Sequence, residues 1–194
     1  MCEEALIKGC IRQDNRCQEN LYKLYYADML RVCLRYAKSQ EDAGDILNRG
    51  FLKVFTYIAS YKQSGALGAW IRRIIVNTAI DFYRERSALE KVVPLTVEAE
   101  DALQEPFIQP EIYDRFSSND ILLLLRSLTT NYRLVFTLHA VDGYSYREIA
   151  TMMDIKESTC RWYVMEARKQ LQEKMKQFLL LTPQTYNYDQ AAAS

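Results

Sequence analysis

The sequence predicts an all-α fold, and three observations predict it. Apolar residues recur every three to four positions through residues 17–86 and again beyond 119. No stretch of useful length alternates apolar with polar residues, as a half-buried strand would. Ser145 stands three residues before Glu148, the capping box that starts a helix. The predicted organisation is a helical domain over 1–88, an acidic linker over 89–118, a second helical domain over 119–180 and a flexible tail over 181–194.

The elements follow in order. Residues 1–13 carry a short first helix. Tyr25, Met29, Val32, Cys33 and Tyr36 make the buried stripe of the next. Ala43, Ile46, Leu47, Gly50, Phe51, Val54, Phe55 and Ile58 make a wider stripe, which predicts a helix over 41–58. Gly65 and Gly68 mark a loop. Ile71, Ile74, Ile75, Thr78, Ala79 and Phe82 predict a helix over 70–86. Pro94, Pro106 and Pro110 then break the pattern. Glu98, Glu100, Asp101, Glu105, Glu111, Asp114 and Asp120 face a single Arg115 there, so the segment reads as an acidic connector.

Four helices are expected beyond it, over 119–127, 131–142, 146–153 and 157–178. The Ser145–Glu148 box starts the third at Tyr146, and Ile149, Ala150 and Met153 turn toward a core. Asp154-Ile155 is a short break. The last helix starts near Glu157 and buries Cys160, Val164, Ala167, Leu171 and Met175. Helix, tight turn and helix in this order read as a helix-turn-helix, the unit that lays one helix in the DNA major groove. The tail beyond Pro183 is expected to fray.

Composition excludes several classes. The chain has 194 residues, enough for one domain or two small ones, and zero formal net charge. Zero charge argues against coating DNA by electrostatics alone. No segment is long and apolar enough to span a membrane, and Met1-Cys2-Glu3-Glu4 begins no secretory signal, so a cytoplasmic protein is expected. The five cysteines (Cys2, Cys10, Cys17, Cys33, Cys160) are odd in number and scattered, and His139 is the one histidine. That pattern predicts free thiols, with no metal site, disulfide framework or cofactor. His139 lies on an apolar helix and reads as a packing residue. No nucleophile or acid–base constellation is visible, so an enzyme is not expected.

Three surfaces are candidates for function. On the 41–58 helix, Asp45, Arg49, Leu52 and Thr56 share the polar side, and Leu52 is the apolar residue among them. On the 70–86 helix, Arg73, Asn77, Asp81 and Arg84 share a face, with Trp70 and Arg72 at its start and Tyr83 and Arg86 near its end. Asparagine can read a base edge, arginine grips phosphate and aromatic rings stack on unpaired bases. The bland alternative is a solvated face with pairs such as Asp81 with Arg84. On the last helix, Ser158, Arg161, Trp162, Met165 and Lys169 oppose the buried stripe. They mix donors, cations and an aromatic suited to bases and phosphates; the bland alternative is an ordinary surface helix.

Both halves together resemble the sigma-70 family, in its extracytoplasmic-function (ECF) group. The first half carries Leu21-Tyr22, Asp42-Ala43, Asp45-Ile46, Phe51-Leu52-Lys53-Val54-Phe55, Trp70-Ile71-Arg72-Arg73-Ile74, Asn77-Thr78-Ala79-Ile80-Asp81 and Arg84. The second half carries Leu128, Tyr132-Arg133, Val135-Phe136, Asp142-Gly143-Tyr144-Ser145-Tyr146-Arg147-Glu148-Ile149-Ala150, Thr159, Arg161, Ala167-Arg168 and Leu171. The resemblance implies domains like sigma regions 2 and 4, joined by a linker that threads toward the polymerase active cleft and RNA exit channel. It implies core RNA polymerase as partner, through the β′ clamp helices and the β flap, together with promoter DNA and an anti-sigma protein.

The resemblance also assigns roles. Asp45, Asn48, Arg49 and Leu52 would bind the polymerase. Trp70, Arg72, Arg73, Asn77, Asp81 and Arg84 would open and read the −10 element, aided by the loop from Ser60 to Gly68. Ser158, Thr159, Arg161, Trp162, Met165, Arg168 and Lys169 would read the −35 element. Such a factor acts by binding and works in the cytoplasm, associated with the nucleoid when it is on polymerase. Seven positions depart from the family pattern, among them Thr129 and Thr130 where a proline-containing pair is usual and Lys156 where a capping Ser or Thr is common. Asn48 and Arg49 stand where Gln and Glu are usual, and Trp162 and Glu166 where small and basic residues are common. Two other readings fit part of the pattern: a sigma-like adaptor that another partner brings to DNA, and a stand-alone helix-turn-helix regulator.

Overall fold

The computed structural model describes residues 2–62, 65–89 and 116–181. Most of the acidic linker and nearly all of the tail therefore lie outside the described residues. The described residues are helical, with no strand among them. The first half holds α1 (Glu3–Ile11), α2 (Asn15–Tyr36), α3 (Gln40–Tyr57), a short 3₁₀ turn (Ile58–Ser60) and α4 (Leu67–Leu89). Asp14 caps α2 by accepting from the Arg16 and Cys17 N–H groups at 2.8 and 3.1 Å, and Ser39 caps α3 through the Asp42 N–H at 3.0 Å.

The third stripe starts earlier than its apolar spacing predicts. The helix expected from residue 70 begins at Leu67, because Leu67 is itself buried and the Ala66 carbonyl already accepts from Ala69 and Trp70. Gly68 is thus helical and marks no loop; its missing Cβ leaves room for the Tyr25 ring. Gly50 is used the same way, since a Cβ there would collide with the Ile75 side chain where α3 crosses α4.

The second half holds α5 (Ser118–Arg126), α6 (Thr130–Phe136), α7 (Tyr146–Met153) and α8 (Glu157–Leu181). The helix expected over 131–142 is α-helical only to Phe136. It widens into a π turn over Thr137–Val141, closed by the Asp142 N–H donating to the Thr137 carbonyl at 3.0 Å. Apolar spacing does not distinguish such a turn from an α-helix. Gly143 follows at φ +77° and lets the chain reverse into α7. The Ser145–Glu148 capping box is formed, with the Glu148 N–H donating to Ser145 Oγ at 3.3 Å and the Ser145 N–H to Glu148 Oε2 at 2.8 Å. Asp154 makes the turn into α8 in the left-handed region, and the Ile155 N–H closes it on the Ala150 carbonyl at 3.1 Å.

The two halves are in contact. Leu134, Val135, Leu138, Ile149, Cys160 and Val164 belong to the same buried cluster as the core of α1–α4. A smaller cluster of Leu125, Leu128, Ala167 and Leu171 ties α5 to α8. Burial of this kind stabilises by about 25 cal/mol per Å² of apolar surface, so the docked arrangement has a driving force of its own.

Candidate nucleic-acid and protein interfaces

α3 presents Asp45, Asn48, Arg49 and Leu52 to solvent. Leu52 is 67% exposed at the centre of this face, a large apolar group with no cover. Asn48 accepts from the Tyr22 hydroxyl at 3.3 Å. Arg49 reaches across to α4, where it pairs with Glu85 at 3.0 Å and lies over the Phe82 ring at 5.1 Å. Between α3 and α4 runs an open cleft of about 270 Å³, lined by Arg49, Leu52, Lys53, Thr78, Asp81, Phe82 and Glu85. The cleft brings Asp81, grouped by sequence with the nucleic-acid face, together with the α3 surface. Asp81 pairs with Lys53 of α3 at 2.9 Å, a partner 28 residues away.

On α4, Arg73, Asn77 and Arg84 are exposed, while Trp70 is half-buried with its ring 5.4 Å from Tyr61. Tyr83 corrects the sequence picture of aromatics free to stack. It is buried, it donates to Asp42 at 3.0 Å and it accepts from the Lys38 N–H at 2.8 Å. Burial pushes its hydroxyl pKa up, and the Asp42 charge adds to the rise. Arg86 pairs with the same Asp42 carboxylate at 2.6 Å but stays half exposed.

At the junction between the halves, Asp142, Tyr36, Arg72 and Arg133 take roles that their places in the sequence did not reveal. The Asp142 side chain is almost fully buried and accepts from the Tyr36 hydroxyl at 2.5 Å and from Arg72 at 2.5 Å, with Arg35 at 3.7 Å. Burial first, and then the Asp142 charge, push the Tyr36 hydroxyl far above its ordinary pKa. Arg133 is the largest fully buried side chain among the described residues. Its Nε donates to the Tyr36 carbonyl at 2.9 Å, its Nη1 to the Leu128 carbonyl at 3.1 Å, and its guanidinium lies 5.5 Å from the Tyr83 ring centre. Desolvation lowers the Arg133 pKa, and Tyr83 and Asp42 oppose that fall. Arg72, assigned by its motif to DNA, is thus engaged inside the protein. The motif signal was present for Asp142 and Arg133, but nothing local marks a partner about 70 to 100 residues away.

α8 buries Cys160, Val164, Ala167, Leu171 and Met175 and leaves Ser158, Arg161 and Lys169 exposed. Thr159, Trp162, Met165 and Arg168 are half-buried. Trp162 packs against Tyr132 and Tyr163 with ring centres 5.6 and 5.5 Å away, so only part of its ring faces outward. Arg161 pairs with Glu157 at 2.6 Å and lies 4.7 Å over the Tyr146 ring. His139 stacks on the same Tyr146 ring at 4.1 Å, and its Nδ1 meets the Tyr144 carbonyl at 2.9 Å, a packing role. Burial holds the Cys10 and Cys160 thiols up at about 11 and that of Cys33 at about 12, so these three are poor nucleophiles. Among the described residues no cluster of His, Cys, Asp or Glu could hold a metal ion, and no helix is long and apolar enough to cross a membrane.

The described residues form two helical units, each with an exposed polar helix face, and the second is a helix-turn-helix. Residues 21–89 match Sigma-70 region 2 and residues 118–171 match Sigma-70 region 4, together more than half of the chain. The chain belongs to the sigma-70 family. Its relatives place it in the ECF group. It is 25% identical over 183 residues to the ECF RNA polymerase sigma-E factor of Escherichia coli K12, covering 90% of this chain and 95% of that protein. It is 26% identical over 156 residues to the ECF RNA polymerase sigma factor SigE of Mycolicibacterium smegmatis, covering 80% of this chain but 60% of that relative. The fold is similar to that of the sigma factor RpoE of Bartonella quintana, solved with the anti-sigma factor NepR. The TM-score is 0.51 and the identity 21%, over 81% of this chain and 96% of that one.

Proposed function

We propose that this chain binds core RNA polymerase and directs it to promoters, reading the −10 element with α4 and the −35 element with α8. The observation that carries this reading is the pairing of two polar helix faces, on units that match regions 2 and 4 in that order. Zero net charge fits a protein that borrows most of its DNA affinity from a partner. Leu52, exposed beside the Arg49–Glu85 pair, supplies the apolar anchor for the β′ clamp helices. Arg73 and Asn77 would hold the opened −10 strand, and Arg161 with Ser158 and Lys169 would meet the −35 duplex. The second unit would also meet the β flap. Bases held in protein pockets offset part of the cost of unpairing, and no covalent step is required. An anti-sigma partner is part of the same proposal, as is work in the cytoplasm on the nucleoid.

Transcription by purified host core polymerase on pooled host genomic fragments, with and without the chain, tests this reading. Discrete new start sites with shared upstream elements are expected. If the chain co-purifies with core yet yields no starts, it is an adaptor and the autonomous reading is wrong.

A further inference from the structure

We propose that Arg35, Tyr36 and Arg72 form a binding site for a DNA backbone phosphate, and that the Asp142 carboxylate occupies it in the free chain. Three donors converge on two oxygens. Arg72 and Arg35 approach Asp142 Oδ1 at 2.5 and 3.7 Å, and the Tyr36 hydroxyl donates to Oδ2 at 2.5 Å. The Asp142 side chain is 2% exposed, whereas that of Arg72 is 42% exposed, so the acid is the guest and the cation reaches the surface. A phosphodiester offers the same single charge and the same pair of acceptor oxygens as a carboxylate. The site also has donor capacity to spare. Arg35 Nε is buried and has no hydrogen-bond partner among the described residues.

The position selects DNA over a free anion. The cluster sits at the start of α4, and the exposed face of that helix continues through Arg73 and Asn77. Arg73 and Arg72 already act on the second half, where their charges oppose the rise that burial and Asp142 impose on the Tyr144 hydroxyl. The Arg72–Asp142 pair places the second half over the end of α4 where a strand would enter. If the halves part, the burial and the acid that hold these donors are removed together, and a phosphate takes the vacated place.

The docked state is also too short for a promoter. About 25 base pairs separate −35 from −10, roughly 85 Å at 3.4 Å per base pair. A compact globule of this length is about 40 Å across. Reading both elements at once requires the halves to part, which frees the Arg35–Tyr36–Arg72 cluster at the moment DNA arrives.

This inference rests on the reading that α4 meets promoter DNA. The test uses the full chain without polymerase and a fluorescein-labelled, mixed-sequence 12-nucleotide single strand, followed by anisotropy. Asp142→Asn should bind about tenfold tighter than the unaltered chain, as for a site open about a tenth of the time. Asp154→Asn, the same charge change at an exposed turn, should gain far less. Adding Arg35→Ala to Asp142→Asn should remove the gain. A gain that is absent, matched by Asp154→Asn, or retained after Arg35→Ala overturns the proposal. Displacement of the strand by millimolar inorganic phosphate would overturn the DNA assignment in favour of a small-anion site.

Asn77→Ala in the Asp142→Asn background separates the two claims. Loss of binding there with no effect of Arg35→Ala keeps the α4 reading and removes this site; the converse keeps the site and removes the reading. A readout independent of folding in the variants is small-angle scattering of the unaltered chain. Its radius of gyration should rise when the strand binds, and an unchanged radius in the bound state overturns the proposal.

Discussion

α4 and α8 are both offered to DNA, but their polar side chains are held in opposite ways. On α4 the partners come from far along the chain: Arg72 from Asp142 and Asp81 from Lys53. On α8 the partners are near: Arg161 from Glu157 one turn away, with Tyr146 beneath it, and Gln170 from Glu166. A face held by distant partners is shaped by the whole fold and changes when the halves move. A face held by its own helix, and by the turn before it, is ready wherever the unit goes. Changes at the junction should therefore alter stability and opening, while changes on α8 should alter base preference and little else.

The largest effect that breaks or sharpens this contrast lies on neither DNA face. Leu52→Asp places a charge at the centre of the exposed α3 surface and is expected to abolish co-purification with core polymerase. Retained binding would remove α3 from the interface. Next is Arg133→Ala, which strands the Tyr36 and Leu128 carbonyls at the junction. Its cost is about 3 kcal/mol, which lowers the melting temperature by roughly 10 °C in calorimetry. An unchanged melting temperature would mean that the junction adds nothing to stability.

Smaller effects belong to the second half. Arg161→Ala should lose about 1–3 kcal/mol of discrimination at one −35 position, with little change in melting temperature. Uniform weakening across a promoter library would instead assign it to phosphate. Ser145→Ala removes the α7 cap and should cost about 1 kcal/mol in a denaturant titration. A larger loss would mean that the cap also holds the docked halves together.

The same division explains what could be read in advance. The all-α class, the Ser145–Glu148 box, the turn at Asp154-Ile155 and the buried stripe of α8 are written in spacings of three to seven residues, and all are formed. The early start at Leu67 was missed because burial of a single leucine, not periodicity, extends the helix. The π turn was missed because its apolar pattern matches that of an α-helix. Tyr83 looked available because an aromatic near the end of a polar helix gives no sign of Asp42, 41 residues earlier. Asp142 and Arg133 stood in a recognised motif, yet their partners Tyr36, Arg72 and Arg35 lie in the other half. Pairings across such separations leave no local trace in one sequence.

The most direct measurement is the distance between the halves, by energy transfer between dyes at the exposed positions Lys23 and Lys176, in the free chain and on core polymerase with a promoter fragment. The account predicts high transfer in the free chain and a marked fall on the promoter complex, as α4 and α8 move to elements about 85 Å apart. Transfer that is equally high in both states would contradict it, because the docked halves could not then read −10 and −35 together.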